Sequence, residues 1–277
     1  SALNPDVLTY RRKWGLAERD EQMAVLVQRV SGGRYGRYFF PTLAGVALSH
    51  NLYVWADRID PNRGVVRLVF GLGTRAVDRV GNDYPRMIPL SHPNLRPEIG
   101  VGIAKYAQRH VDVIDLERNA FVTQPFREIV NDTRYPNLHL LISELRDGGV
   151  YDPISRDLGR HDRPGRSRIL TFNNLIRRTD FVRLLDEMLT TLEDVYGRPV
   201  DTEFTASLGP DGAVRINLLQ CRPMSIPGIS ERVALPDDLP PERVVLRSTR
   251  FIGGGVADGI RYLVAIDPAG YAQIPSM

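Results

Sequence analysis

Asp201, Glu203, Gln220 and Arg222 have side chains suited to a phosphate group and a hard metal ion. Whether they can act together depends on their spacing. Between them lies Gly209-Pro210-Asp211-Gly212, flanked by extended runs at residues 199–207 and 213–221. Asp-Gly between such runs predicts a β-hairpin. With Asp211 and Gly212 as the two central turn residues, Glu203 falls opposite Gln220 and Asp201 opposite Arg222. Alternation then puts Asp201, Glu203, Thr205, Gln220 and Arg222 on one face, with the mostly apolar Thr202, Phe204, Leu219 and Cys221 on the other. Magnesium prefers oxygen ligands, usually one or two from protein beside phosphate oxygens and water. Glu203 and the Gln220 side-chain oxygen can supply them, and Arg222 can grip phosphate oxygens through paired N–H groups. The same pattern also describes an ordinary cross-strand Asp–Arg pair on a solvated sheet.

The elements that must position this hairpin are legible to different degrees. Phe181, Leu184, Leu185, Met188, Leu189, Leu192 and Val195 fall on one helical face, which predicts a core-packing helix. Thr179 or Asp180 can cap its start, and Gly197 stands where a left-handed C-terminal residue belongs. Upstream, the valine-rich run at 23–30 reads as a buried strand, followed by the break Ser31-Gly32-Gly33. Residues 44–48, 51–55 and 64–70 read as further strands, and short connections favour antiparallel pairing. Tyr10-Arg11-Arg12 suggests the tail of a helix. The stretch of about 81–165 is rich in Pro, Arg and Asp and reads as an irregular insertion with short strands and helices. After a Pro-rich linker (Pro236, Pro240, Pro241), a short strand is predicted at 262–266.

Composition narrows the class. The 277 residues suit one large domain or two modest ones, with 43% hydrophobic and 25% charged residues. A pI of about 9.1 invites a nucleic-acid reading. Yet the net charge is only +3, basic and acidic residues alternate, and no block of like charge appears. A mixed, solvated surface is the better account. No run of about 18 apolar residues predicts a membrane span. The single cysteine, Cys221, allows neither an internal disulfide nor a zinc cluster, which fits a reducing cytoplasm. Gly253-Gly254-Gly255 lacks the strand-to-helix context and following Lys of a phosphate loop and reads as a turn.

The run Tyr196-Gly197-Arg198-Pro199-Val200-Asp201-Thr202-Glu203-Phe204-Thr205, followed by Leu218-Leu219-Gln220-Cys221-Arg222-Pro223, resembles a family motif. It closes the nucleotide domain of phosphoenolpyruvate synthase and pyruvate phosphate dikinase. Met23-Ala24-Val25-Leu26-Val27-Gln28, Ala44-Gly45-Val46-Ala47-Leu48-Ser49 and Phe70-Gly71-Leu72-Gly73 resemble three earlier motifs of that domain, in the same order. The resemblance implies an α+β, ATP-grasp-like fold with a largely antiparallel sheet and flanking helices. It also implies an ATP- and Mg-dependent phosphotransferase that passes a phosphoryl group to a histidine on a separate swivelling domain. Pyruvate or phosphoenolpyruvate would be met only through another domain. By motif position, Glu203 and Gln220 are metal ligands, Arg222 is a catalytic phosphate contact, Asp201 lines the nucleotide site, and Gln28 lies near the adenine pocket.

Two departures favour an alternative, a non-catalytic regulatory or scaffolding domain of the same fold. The acid of the family's Gly-Leu-Gly-Glu is Thr74 here, and the hydroxyl residue before Gly45 is Ala44. None of the five histidines sits in a phosphocarrier setting. The Ser-Ala start, without Met, and the lack of the family's upstream glycine-rich and Arg-Ser-Ser segments predict a fragment that is idle alone. The domain is expected to occupy residues 1–235, with residues 236–277 as linker and a short β segment.

Overall fold

The computed structural model describes residues 25–78, 80–100, 102–132, 135–154, 167–224, 239–246 and 259–264, with scattered positions between 8 and 19. The chain divides into two compact units, residues 1–30 and residues 31–277.

In the first unit, residues 11 and 12 are helical and the Leu16 amide donates to the Arg11 carbonyl at 2.8 Å, a helix end as expected. The predicted strand at 23–30 is not found in its described part. Residues 25–30 join no strand, and Val25, Leu26 and Val27 are 83%, 78% and 88% exposed. An apolar run becomes a buried strand only when a neighbouring strand takes up its N–H and C=O groups, and no such ladder runs along these residues.

The second unit is built on antiparallel pairing throughout. Four short strands, β1 (Gly33–Tyr35), β2 (Tyr38–Phe40), β6 (His110–Asp115) and β7 (Ala120–Pro125), form one sheet in the order β1-β2-β6-β7. A central sheet has the order β12-β11-β3-β4-β5, from β3 (Leu43–Leu48), β4 (Val65–Phe70), β5 (Arg86–Pro89), β11 (Val200–Leu208) and β12 (Val214–Pro223). A third, β10-β8-β9, uses β8 (Ile142–Arg146), β9 (Gly149–Tyr151) and β10 (Ser167–Leu170). The helices are α1 (Thr74–Val77), α2 (Gly102–Lys105), α3 (Phe126–Asp132), α4 (Leu138–Leu141), α5 (Asn173–Arg178) and α6 (Phe181–Tyr196). This is the α+β, largely antiparallel architecture that the sequence predicts.

The middle of the chain is better ordered than an irregular insertion. β6 pairs with β2 across more than seventy residues of sequence (Tyr38↔Asp115), so the segment supplies strands to a sheet begun upstream. Two other expectations fail. Residues 51–55 and 259–264 join no strand. At the first, the Asn51 amide donates to the Pro61 carbonyl at 2.7 Å and its side chain accepts from the Tyr53 amide at 2.8 Å, so local turns take the backbone groups a ladder would need. At the second, Tyr262 and Val264 are exposed and pair with no strand among the described residues, while residues 265–266 lie outside them. Gly253-Gly254-Gly255 lies outside the described residues.

α6 follows the predicted stripe. Phe181, Leu185 and Leu189 are buried, and Val182, Met188 and Leu192 pack against the same core. The Phe181 amide donates to Thr179 Oγ1 at 3.3 Å, and Gly197, at φ +66°, closes the helix through its amide to the Glu193 carbonyl at 2.8 Å. Val195, at the helix end, is exposed. Phe40 stacks on Tyr135 at a centroid distance of 5.9 Å and Phe70 meets both rings edge to face at 5.3 and 5.0 Å, tying the four-stranded sheet to the central one. The Tyr135 hydroxyl, buried and with its pKa pushed up by that burial, donates to Thr42 Oγ1 at 2.6 Å.

Candidate functional site

The β11–β12 hairpin brings the expected residues together by a route that the sequence does not predict. Asp201 pairs with Arg222 and Glu203 with Gln220. The turn, however, is longer than two residues. The Gly209 amide donates to the Ala213 carbonyl at 2.8 Å and the Gly212 amide to the Gly209 carbonyl at 2.9 Å, leaving Pro210, Asp211 and Gly212 in the loop. Gly212 takes φ +87°, as the third position of such a loop requires. This turn alone shifts the pairing by one residue, giving Leu208↔Val214 through Phe204↔Leu218. A β-bulge between Glu203 and Phe204 then inserts Leu219 on β12 and restores the register at the site. The two offsets cancel where it matters.

Asp201 and Arg222 form the tightest contact on this edge. Arg222 Nε and Nη2 both donate to Asp201 Oδ2, at 2.9 and 2.7 Å. The hydrogen bond raises the Arg222 pKa, with the Asp201 and Glu203 charges adding to it. Of the guanidinium's five N–H donors, two are engaged by Asp201, so the fork is oriented but not consumed. The Glu203 and Gln220 side chains make no hydrogen bond or ion pair with another described residue, and both reach solvent. Their oxygens remain available to a ligand.

The sheet explains why this face stays accessible. Register continues from Glu203 to Val46, from Val46 to Arg67, and from Arg67 to Met87, so these residues lie in one cross-strand row on the same face. All four are only partly buried. The opposite face carries Phe204, Ala47, Val66, Leu68 and Ile88, which are fully enclosed in the core. Gly45 is required there, since a Cβ would approach the Arg67 carbonyl to 2.5 Å and the Phe204 ring to 2.9 Å. Arg67 is a cation on the site face that motif spacing does not reveal. Its signal in the sequence is one charge inside an otherwise apolar strand. Its Nη2 reaches the Val77 carbonyl at 3.5 Å, a long contact that leaves the guanidinium loosely held.

The Gly71-Leu72-Gly73-Thr74 loop borders this face. Gly71, at φ +91°, has no room for a Cβ, which would lie 2.4 Å from Val111 Cγ1. The Leu72 amide donates to the Asp112 carbonyl at 2.9 Å. Gln108 secures the strand before the loop, taking the Phe70 amide at 2.8 Å and donating to the Phe70 carbonyl at 2.9 Å. α1 then covers Ala44 and Val69, with Ala76 packed against both. Thr74 is exposed at the start of α1, and Ala44 is buried 3.4 Å from the Cβ position of Gly73.

Arg75 anchors the loop from beneath. Its guanidinium meets Asp83 Oδ2 at 3.0 Å and Asp112 Oδ2 at 3.1 Å, all three groups being buried. Asp83 also accepts the Arg109 and His110 amides at 2.6 and 2.9 Å, and Asp112 accepts the Thr123 hydroxyl at 2.6 Å. Nothing in the sequence near Arg75 points to partners 8 and 37 residues away.

Among the remaining predicted positions, Cys221 is a free thiol whose pKa burial pushes up. Gln28 is exposed within the unit of residues 1–30. Among the described residues no three His, Cys, Asp or Glu side chains converge to enclose a metal, and no helix is long and apolar enough to cross a membrane. A cation at Glu203 and Gln220 therefore needs ligand oxygens to complete its shell, as magnesium on a phosphate does. The donor set fits that ion. Residues 1–240 match the family described as the AMP/ATP-binding domain of pyruvate phosphate dikinase. No curated protein matches the chain.

Proposed function

The chain belongs to the AMP/ATP-binding domain family of pyruvate phosphate dikinase, an ATP-grasp-type domain, and from that premise we propose that it is the ATP- and Mg-binding portion of a dikinase-type phosphotransferase. The observation that carries this reading is the paired presentation of Glu203 with Gln220 and Asp201 with Arg222 on one open sheet face.

Phosphoryl transfer depends on positioning and on neutralising charge at the phosphate oxygens, with little covalent work for the domain. Glu203 and Gln220 present two oxygen donors directly across the hairpin, so a divalent cation held there would draw together the terminal phosphates of ATP. Asp201 fixes the Arg222 fork in place by accepting two of its N–H groups on one oxygen, and thus acts as a positioning residue. The remaining N–H groups of Arg222 face the transferred phosphoryl group, which is the catalytic part of its role. Arg67, in the Glu203 row, adds a second positive charge toward the nucleotide side of the same face. Gln28, by its motif position, is assigned to the adenine side. The acceptor is a histidine on a separate swivelling domain, and pyruvate or phosphoenolpyruvate is handled by a third. The family match over residues 1–240 leaves residues 241–277 outside the family domain.

A second reading, a domain that keeps the fold without turnover, is favoured by Thr74. An exposed neutral hydroxyl stands at the mouth of the loop where the family has an acid. One assay separates the two. Transfer of labelled phosphoryl from ATP to the histidine carrier, measured in the intact protein, is expected to fall by about 100-fold in Glu203→Ala, the scale for removing one charge-stabilising group. Transfer in the wild type with no loss in Glu203→Ala would remove the metal-ligand assignment. No transfer in the wild type, with Mg-ATP still bound, would select the non-catalytic reading.

A further inference from the structure

On the sheet face opposite Glu203, beneath β5, lies a small cavity of about 10 Å³, enough for the centre of one water-sized group. It is lined by Tyr84, Arg86, Arg96, Glu98, Tyr106 and Phe172, among others. Two of these are guanidiniums with no carboxylate within 4.0 Å among the described residues. Arg86 is only 8% exposed. Its Nη1 donates to the Met87 carbonyl at 2.7 Å, and its Nη2 to the Leu95 and Pro93 carbonyls at 3.2 and 3.5 Å. Its Nε–H has no acceptor among the described residues. Arg96 Nη2 donates to the Thr171 carbonyl at 3.2 Å.

Buried cations are normally matched by a counter-charge, because neutral carbonyls do not repay the lost hydration. Arg75, equally buried, has two aspartates. Arg86 and Arg96 have none in contact among the described residues. Burial first, and then the neighbouring Arg96 charge, pull the Arg86 pKa down to about 9 against the opposing pull of Glu98. Burial lowers the Arg96 pKa as well. At neutral pH Arg86 remains charged. Arg177, the third cation near them, is already paired with Asp152 at 2.9 Å. The rings of Tyr84 and Tyr106 meet edge to face at 5.1 Å on the cavity wall, and aromatic edges are electropositive.

We propose that this cavity is a binding site for a small monovalent anion of chloride size, held between Arg86 and Arg96 and completing the fold at the β5 edge. Its place on the core side of the sheet separates it from the nucleotide face. The acceptor-less Nε–H of Arg86 and the sparsely bonded Arg96 are the groups that an anion would satisfy.

The test is thermal melting of the 277-residue chain in sodium chloride against sodium gluconate at equal ionic strength. Chloride or bromide at about 0.2 M is expected to raise Tm by about 3 °C, the size a site of about 10 mM affinity gives a domain of this length. Arg96→Gln is expected to abolish that increment, and Glu98→Gln to enlarge it by removing the competing carboxylate from the cavity wall. Equal melting in the two salts overturns the proposal, as does an increment unchanged in Arg96→Gln. Should the arginine variant not fold, a wild-type crystal soaked in bromide decides the matter. An anomalous peak between Arg86 and Arg96 supports the site, and its absence there rules the site out.

Discussion

Arg75 and Arg222 both face aspartates, yet they serve opposite ends. Arg75 is sealed between Asp83 and Asp112, and each carboxylate is further saturated by backbone amides or a hydroxyl. Arg222 shares a single oxygen of Asp201 at the solvent edge, beside Glu203 and Gln220, whose side chains bond to no described residue. Charge paired on both sides within the protein fixes a loop and offers nothing to a ligand. Charge that is oriented but left with spare donors and acceptors is what a phosphate site requires. The contrast separates scaffold from site more sharply than residue type does, because the side chains are the same.

Breaking the buried cluster gives the largest expected effect. Asp83→Ala strands part of Arg75 and two backbone amides, and should cost about 3–5 kcal/mol in denaturant unfolding. A loss below about 1 kcal/mol would mean that the cluster is hydrated and the contrast overstated. Next comes the hairpin bulge. Inserting one alanine between Leu219 and Gln220 adds one residue more than the bulge absorbs, so Gln220 and Arg222 turn toward the core face. Mg-ATP affinity should fall by at least about tenfold, equivalent to about 1.4 kcal/mol, as read by calorimetric titration. Retained affinity would show that the pairing at Glu203 does not set the site.

The smallest effects belong to the open edge itself. Asp201→Asn should change stability by less than about 1 kcal/mol, the range of a solvent-exposed pair. It should still weaken Mg-ATP binding, because Arg222 loses the partner that orients it. Glu203→Gln should leave the unfolding midpoint unchanged within about 0.5 kcal/mol. A destabilisation there as large as that of Asp83→Ala would make Glu203 a structural residue.

The site is legible in the sequence to the extent that its geometry is local. Asp201, Glu203, Gln220 and Arg222 lie on one hairpin, and alternation alone puts them on one side. The turn is one residue longer than the Asp-Gly signal implies, and only the compensating Leu219 bulge keeps the predicted pairs. α6 is equally plain, because 3.6-residue periodicity is a property of contiguous sequence. What cannot be read depends on distant partners. β6 is a strand because β2 lies beside it, and Arg75 is structural because Asp112 meets it from 37 residues away. The run at 25–30 shows the converse, a strand-like sequence that joins no strand. Arg67 escapes a reading by motif because a lone charge in a strand carries no spacing rule, and only the register shows it in the row of Glu203.

Whether the Glu203–Gln220 pair forms the metal-nucleotide edge is tested most directly by paramagnetic broadening. Backbone amide signals of the isotopically labelled chain would be followed as manganese and ATP are added together. The hairpin supplies its own control, since the turn at Gly209–Ala213 stands about 20 Å from Glu203 at strand rise. The amides of Glu203, Gln220 and Arg222 should broaden first, those of the turn should stay sharp, and Glu203→Gln should remove the effect. Broadening that spares Glu203 and Gln220, or that persists unchanged in Glu203→Gln, would contradict that role for the pair.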